Sequence, residues 1–459
     1  MTMNRLRTTV LLFALLALLG NSRPVIAVAD DGLDVLEGFE STPVVAPLTD
    51  LPDESDSPFR LSGWFKLGTT WNFAHQAPET DQTDWRGLSR LRPELLLEGD
   101  LRLSNDWRLF ASVKGFYDFA YGLNDRDNYS SEVLDEYEKE LELREAYITG
   151  ALSSAVDLKV GRQIVVWGRS DNLRVTDILN PLDQREPGLT DIEDLRLPVT
   201  MVRLDAHTGP WTLTGLVIPE IRFDKQPVYG HDIYPYTQPL PPEHIPADGL
   251  HNAEYAAALN GIFSGWDISF YFADGYADES HVEPDRSGSP LLKHSRLTML
   301  GLAGERAWGN VLFYAEAAWL DGLEFFNSDK NYSRTDLLGG IEYSGFRNTT
   351  LSFEMVRRHL NGYHDQLALS PDQIRKNSDQ SVLRLSRTFL HERLILTALA
   401  SYFGSHGQNG ALQRLEGEYE LAAAIHTTVG VVLFQSGNLP AFQDIGDSDR
   451  FFAEVKWEF

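Results

Sequence analysis

The residues best placed to do chemistry gather between Leu141 and Arg196, where two strand-like runs joined by a short turn lead into a long polar loop. In the first run Leu141, Leu143, Tyr147 and Thr149 share a face, and Glu145 breaks it. In the second, Val156, Leu158, Val160, Ile164 and Val166 share a face, and Arg162 breaks it. Folding the hairpin about residues 151–155 sets Glu145 roughly opposite Arg162. A lone charge on an apolar face is costly, so the two breaks are expected to pair. A bulge near Gly161 would turn both inward as an ion pair; the alternative is a pair on the outer face. Such a pair either sets register or tunes selectivity.

The loop that follows, 168–196, carries Arg169, Arg174, Arg185 and Arg196 beside Asp171, Asp177, Asp183, Glu186, Asp191, Glu193 and Asp194. Ser170-Asp171 is a helix-capping pair, and Asn180-Pro181 would end a short helix begun there. Both signs of charge on one loop suit a constriction inside a pore; the alternative is a solvated surface loop. His231, His244 and His251 share the stretch 219–252 with several acids, but solvated loop histidines are the default over a metal site. No metal or cofactor is expected. Phosphate-loop, dinucleotide and Gly-x-Ser-x-Gly fingerprints are absent from the sequence.

The 459 residues hold 67 acidic and 40 basic side chains and no cysteine, for a net charge of -27. That surplus of acid argues against a nucleic-acid binder, because phosphate requires a basic surface. The lack of cysteine removes thiolate metal sites, cysteine nucleophiles and disulfides. Near the amino terminus, Arg5 and Arg7 precede the apolar run Val10 to Leu19, and Ala27-Val28-Ala29 offers a cleavage site. Residues 1–29 therefore read as a signal peptide, the run being too short to span a bilayer. Residues 30–58 hold nine acids, four prolines and no basic residue, which reads as a flexible periplasmic tail and a candidate partner-binding arm. No later stretch is long and apolar enough for a transmembrane helix.

Alternation dominates the rest. Phe451, Ala453, Val455, Trp457 and Phe459 fall on one face of the last ten residues, with Glu454, Lys456 and Glu458 on the other. Leu61, Phe65, Leu67, Trp71 and Phe73 share a face, as do Leu91, Leu95, Leu97 and Leu101. Eighteen such cores can be counted between residues 59 and 459, uncertain by two. Very short links alternate with long polar stretches at 122–136, 168–196, 219–252, 274–293, 321–333 and 361–379. Of ten tryptophans, Trp107, Trp211, Trp266, Trp308 and Trp457 lie beside the short links, as an interfacial girdle at one rim requires. The fold class predicted is all-β: a transmembrane antiparallel barrel of about 18 strands, residues 59–459, with short periplasmic turns and long outer loops. Parity places Arg92, Glu94, Glu98, Lys114, Glu142, Arg144 and Arg203 in the lumen, and Glu145 and Arg162 join them if the bulge forms.

The ending on Phe459 resembles the terminal strand of Gram-negative outer-membrane barrels, whose assembly machinery reads such a residue. The segment Leu143–Asp183 resembles the alginate-export-type barrels and a related uncharacterised outer-membrane family, through Arg144-Glu145-Ala146-Tyr147, Gly161-Arg162-Gln163 with Trp167-Gly168, and Asn180-Pro181-x-Asp183. That resemblance implies a monomeric barrel passing a solute across the outer membrane and names no solute; an acidic chain fits a polyanion such as alginate poorly. The expected role is a channel, porin or exporter, in contact with lipid and lipopolysaccharide, with cation preference following from the acidic loops. A plugged structural or adhesive barrel, or a hydrolase with Ser170 and Asp171 at the rim, are the alternatives.

Overall fold

A computed structural model describes residues 57–78, 82–190 and 195–459. The expected signal peptide and nearly all of the acidic tail lie outside the described residues. Eighteen strands form one antiparallel sheet. They are β1 (Phe59–Asn72), β2 (Gly87–Arg102), β3 (Trp107–Tyr117), β4 (Lys139–Ser153), β5 (Val156–Gln163), β6 (Val199–Thr208), β7 (Trp211–Ile218), β8 (Glu254–Phe263) and β9 (Trp266–Pro284). The second half holds β10 (Pro290–Trp308), β11 (Val311–Phe325), β12 (Ser328–Phe346), β13 (Thr349–Leu360), β14 (Asn377–Phe389), β15 (Leu394–Phe403), β16 (Gly410–Ala422), β17 (Ile425–Gln435) and β18 (Arg450–Glu458). Two short helices, α1 (Ala120–Leu123) and α2 (Ser131–Tyr137), lie between β3 and β4.

The sheet closes on itself. β1 pairs with β2 on one side and with β18 on the other, from Trp64↔Glu458 to Asn72↔Arg450. Phe459 finishes the seam: its N–H donates to Gly63 O and its carbonyl accepts from Gly63 N, both at 3.0 Å. Gly63 is required here, since a Cβ would lie 2.2 Å from Leu96 O. Closure leaves no strand edge to water or lipid along the seam.

Side-chain parity produces the membrane belt. Leu61, Phe65, Leu67, Trp71, Leu95, Leu97, Phe451, Val455 and Trp457 are exposed on the outer face, while Arg92, Glu94 and Phe452 are buried on the inner one. An exposed apolar band around a closed barrel is the surface that lipid solvates. The five turn-side tryptophans stand at one end of their strands, and there Phe263 meets Trp211 edge-on (5.4 Å) and stacks on Trp266 (4.3 Å). Tyr117 at the far end of β3 and Phe119 just beyond it (4.9 Å apart) mark the other girdle.

Several expected boundaries move. β3 ends at Tyr117 and β5 at Gln163, because the chain then leaves the wall to form α1 and the inner loop. The stretches 274–293 and 321–333 are not loops: β9, β10, β11 and β12 run through most of them as protruding hairpins. Their polar composition reflects strands projecting beyond the belt.

The Glu145–Arg162 pair does not form, and the bulge lies elsewhere. The β3–β4 register shifts between Ser112↔Glu145 and Val113↔Leu143, so the extra residue is Arg144. This reverses parity along β4, and Tyr147 turns inward, with Lys159 Nζ 3.6 Å from its ring centre. Glu145 Oε1 accepts from Ile164 N at 3.2 Å. Arg162 instead pairs with Glu220, and its guanidinium is 3.8 Å from Glu142. Gly161, at φ +132°, permits the close β4–β5 approach, with Ala146 O only 2.2 Å from where a Cβ would stand. Replacing Gly63 by valine should force the β1–β2 backbones apart at a cost of roughly 1–3 kcal/mol or more. The readout is a fall in the folded fraction, measured as the heat-modifiable band in gel electrophoresis.

Candidate functional site

Loop 164–197 determines the shape of the lumen. It leaves the wall after β5 and crosses to the inner face of β9, β11 and β13, several strands away. Two buried wall carboxylates receive it. Glu316 of β11 accepts from Arg169 N (2.7 Å), Ser170 N (3.0 Å), Thr176 N (3.2 Å) and Thr176 Oγ (2.8 Å). Glu354 of β13 accepts from Ser170 Oγ (2.7 Å), Asn172 Nδ2 (3.1 Å) and Tyr314 OH (2.7 Å). Gly168, at φ +88°, lets the loop close on Glu316, whose carboxylate lies 2.7 Å from where a Cβ would sit. The expected helix from Ser170 to Asn180 is absent. Ser170 Oγ does accept from Leu173 N at 3.0 Å, but Glu316 takes the amides of Arg169, Ser170 and Thr176. Asn180 is fully buried and stitches the loop to the strand ends: its Oδ1 accepts from Val165 N (2.8 Å) and its Nδ2 donates to Leu197 O (2.9 Å).

Apolar packing completes this half. Val165, Trp167, Leu173, Val175 and Leu179 of the loop form one core with inward side chains of the wall, among them Met201, Ile218, Met299, Val356 and Val382. Trp167 stacks on Tyr271 at 4.7 Å. Arg169, Arg174 and Asp177 therefore do not ring a pore. Arg169 donates to Ser269 Oγ (2.9 Å), Arg174 to Asp177 O (2.6 Å) and Asn180 O (2.7 Å), and Asp177 pairs with Arg196 (2.8 Å). Asp171 lies in the same inner turn, between Ser170 and Asn172, which both bind Glu354.

The open space is on the opposite side, against β1 to β4 and β16 to β18. There a cavity of about 300 Å³ is lined by Arg92, Glu94, Lys114, Glu142 and Arg144 from the wall and by Asp183, Arg185 and Glu186 from the loop. Glu186 bonds Arg92 at 2.7 Å and lies 3.8 Å from Arg90. Arg92 also reaches Asp118 (3.2 Å), and Arg185 reaches Asp183 (2.6 Å), Glu140 (2.6 Å) and Glu136 (3.3 Å). Glu94 is shared by Arg90, Lys66 (3.5 Å) and Lys114 (3.2 Å). Glu98, Glu145, Arg162 and Arg203 do not line the cavity; Arg203 pairs along its own strand with Asp205 at 2.7 Å.

Further lining residues were not singled out from the sequence: Trp64, Lys66, Arg90, Phe116, Glu140, Arg414, Glu454 and Lys456. Lys66 does alternate with the exposed Phe65 and Leu67, and Arg90 is followed by Leu91 on the opposite face, so parity held that signal. Nothing local pointed to Glu316 and Glu354, whose partners are about 140 and 180 residues away. Among the described residues the lining carries eight basic and eight acidic side chains, so the chain's acidic surplus does not extend to this cavity.

Loop 219–252 covers the mouth. Its Asp232 is fully enclosed and joins both sides of the closing seam: Asn72 Nδ2, His75 Nε2 and Arg450 Nη2 each lie 3.0 Å from Oδ2. His231 Nδ1 lies 3.0 Å from Oδ1, and the ring stacks on Tyr137 at 4.0 Å. Burial pushes the Asp232 carboxyl up, but Arg450 and His231 outweigh it and hold it well below the usual carboxylate range. Its contribution is therefore present above the ordinary Asp pKa and lost only as pH falls through the depressed one. No group of histidine and acid that would hold a metal occurs among the described residues.

This fold is that of the outer-membrane channel barrels. Acinetobacter baumannii OccAB1 is similar over 88% of this chain and 98% of its own, with 10% identity and a TM-score of 0.52. Pseudomonas aeruginosa OpdK, in its structure with vanillate, is similar over 87% and 98%, with 9% identity and a TM-score of 0.51. A. baumannii OccAB3 is similar over 87% and 99%, with 11% identity and a TM-score of 0.50. No curated protein matches the sequence. The chain belongs to the family described as "Protein of unknown function (DUF1302)", whose model matches residues 8–459.

Two outcomes test this geometry. Glu316→Ala leaves four loop donors unmatched at about 1–3 kcal/mol for each truly buried one; the loop should loosen, and single-channel conductance should rise at least about twofold. Asp232→Asn removes the charge that binds Arg450 and should speed proteolysis within 219–252 in intact proteoliposomes at neutral pH. In the unaltered protein the same cleavage should stay slow on acidification to about pH 5, above the depressed pKa.

Proposed function

We propose that this protein is a channel of the Gram-negative outer membrane that passes a small solute through the charged half of its lumen. The observation that carries this reading is the inner loop: one face is packed on Glu316 and Glu354, and the other presents Asp183, Arg185 and Glu186 to a cavity of about 300 Å³. A loop so placed narrows a lumen without filling it. The solved outer-membrane barrels of the same fold support the reading, one of them being OpdK in a structure with vanillate.

The lining is balanced in sign: Lys66, Lys114 and Lys456 gather near Trp64 with Glu94 and Glu454 among them, and Glu136, Glu140 and Asp183 line the same cavity beside Arg185. A rim hydrolase gains no support, because the Ser170 hydroxyl donates to the Glu354 carboxylate and not to a histidine. Residues 1–29 would act as a cleaved export signal, Phe459 as the contact for the assembly machinery, and the acidic tail as an arm for a periplasmic partner. Lipid and lipopolysaccharide would surround the belt. Kinship with the alginate-export-type barrels extends, in this proposal, to architecture and not to substrate.

Planar-bilayer recording tests the proposal. The purified protein should open discrete channels with weak ion selectivity, a permeability ratio within about threefold of unity. Lys66→Glu with Lys456→Glu should move the reversal potential in a salt gradient towards cation preference. Failure to conduct in both the native and the Glu316→Ala forms would sink the channel reading and favour a closed structural barrel.

A further inference from the structure

The wall is uneven in height. β5, β6, β7 and β8 contain 8, 10, 8 and 10 residues, against 15 in β4 and 19 in β9. β4 pairs with β5 only as far as Ala146↔Arg162. Lys139 to Glu145 thus have β3 on one side and, among the described residues, no strand on the other. β9 likewise outruns β8 beyond Asp274↔Tyr255. The result is a notch four strands wide, about 19 Å at ~4.8 Å per strand. Along β4 it is seven residues deep, about 23 Å at ~3.3 Å per residue. It cuts into the apolar belt: Leu141 and Leu143, 81% and 48% exposed, lie on the belt side of Tyr117, which pairs with Lys139.

Side-chain ion pairs close the notch in place of a hydrogen-bonded ladder. Glu140 and Glu142 on the inner face of β4 pair with Lys225 and Arg222 of the chain that follows β7. Arg162, the penultimate residue of β5, pairs with Glu220 of the same segment. Arg222 Nη1 also donates to Pro198 O at 3.0 Å. These charges face the polar lumen side of the wall, and unlike a ladder they can exchange partners with an incoming ion. The lumen cavity reaches the back of this seal, since Glu140 and Glu142 line it. Elsewhere in the lining, Lys66, Lys114 and Lys456 each stand 5.5–5.6 Å from the Trp64 ring, Lys66 and Lys114 sharing Glu94 (3.5 and 3.2 Å) and Lys456 paired with Glu458 (2.6 Å), so an incoming anion exchanges partners here as it does at the seal.

We propose that the notch between β4 and β9 is a lateral portal joining the lumen to the outer leaflet, and that it serves a single-chain anionic amphiphile. The inference rests on the channel reading. The anionic head displaces Glu142 from Arg222 and Glu140 from Lys225, then meets the three ammonium groups around Trp64. The apolar chain follows past Leu141 and Leu143, so it never crosses the charged mouth.

The absence of native cysteine makes the test clean. Leu141→Cys and Gln226→Cys place exposed thiols on β4 and on the sealing segment, each next to a partner of the Glu140–Lys225 pair, and neither residue lines the cavity. A cleavable bismaleimide bridges them in proteoliposomes, where a dansyl-labelled dodecyl sulfonate in the outer leaflet is followed into albumin trapped inside. Bridging should lower protein-dependent transfer at least about tenfold and cleavage should restore it, while potassium conductance is the same in both states. As a second variant that needs no bridge, Arg222→Gln should raise transfer at least about threefold. Equal transfer in bridged and cleaved protein, or transfer unchanged by Arg222→Gln, overturns the portal. Loss of all conductance in the native protein would instead overturn the channel reading on which it rests.

Discussion

Backbone hydrogen bonding in lipid is the constraint on which the rest of the structure depends. A peptide group left unpaired in the belt costs several kcal/mol, so the wall must be a ladder without ends. The seam shows how this is met: nine β1–β18 pairs, finished by Phe459 bonding Gly63 on both sides. Period-two alternation then follows, because a strand with lipid on one face and a lumen on the other has no third environment. Where the β4–β5 ladder stops, at Ala146↔Arg162, the chain after β7 is joined to β4 through the side chains of Glu140 and Glu142, and there the protein departs from a plain barrel.

The inner loop obeys the same rule. Once the chain leaves the wall after β5, its amides need partners inside the lumen, and Glu316 supplies acceptors for three of them. A carboxylate accepting several N–H groups is a strong anchor, and the core around Trp167 adds apolar burial. Packing one half of the lumen leaves the cavity in the other half. The constriction is thus asymmetric, and its charge comes from β1–β4 and β16–β18 together with the tip Asp183–Glu186.

Loop 219–252 ties these parts together. Lys225 N donates to Leu182 O and Gln184 N to Lys225 O, so the two long loops share backbone bonds. The same loop seals the notch with Arg222 and Lys225 and clasps the seam with Asp232. One segment therefore contacts the inner loop, the short part of the wall and the closure point.

The eighteen strands were legible because lipid imposes a local rule that each residue states by itself: apolar outward, polar or small inward. All eighteen expected cores fall within observed strands or overlap them, and Arg92, Glu94, Lys114, Glu142 and Arg144 reach the lumen cavity that parity assigned them. What the sequence alone determined was this wall, its count and its two faces. The pairings of Arg162 with Glu220, Glu316 with Arg169 and Asp232 with Arg450 were beyond it, as was the bulge at Arg144. Each joins residues about 60 to 220 apart, and composition carries no register between such distant segments. Which half of the lumen fills and which stays open depends on where a loop lands. Only the closed barrel decides that, by bringing β11 and β13 opposite the end of β5.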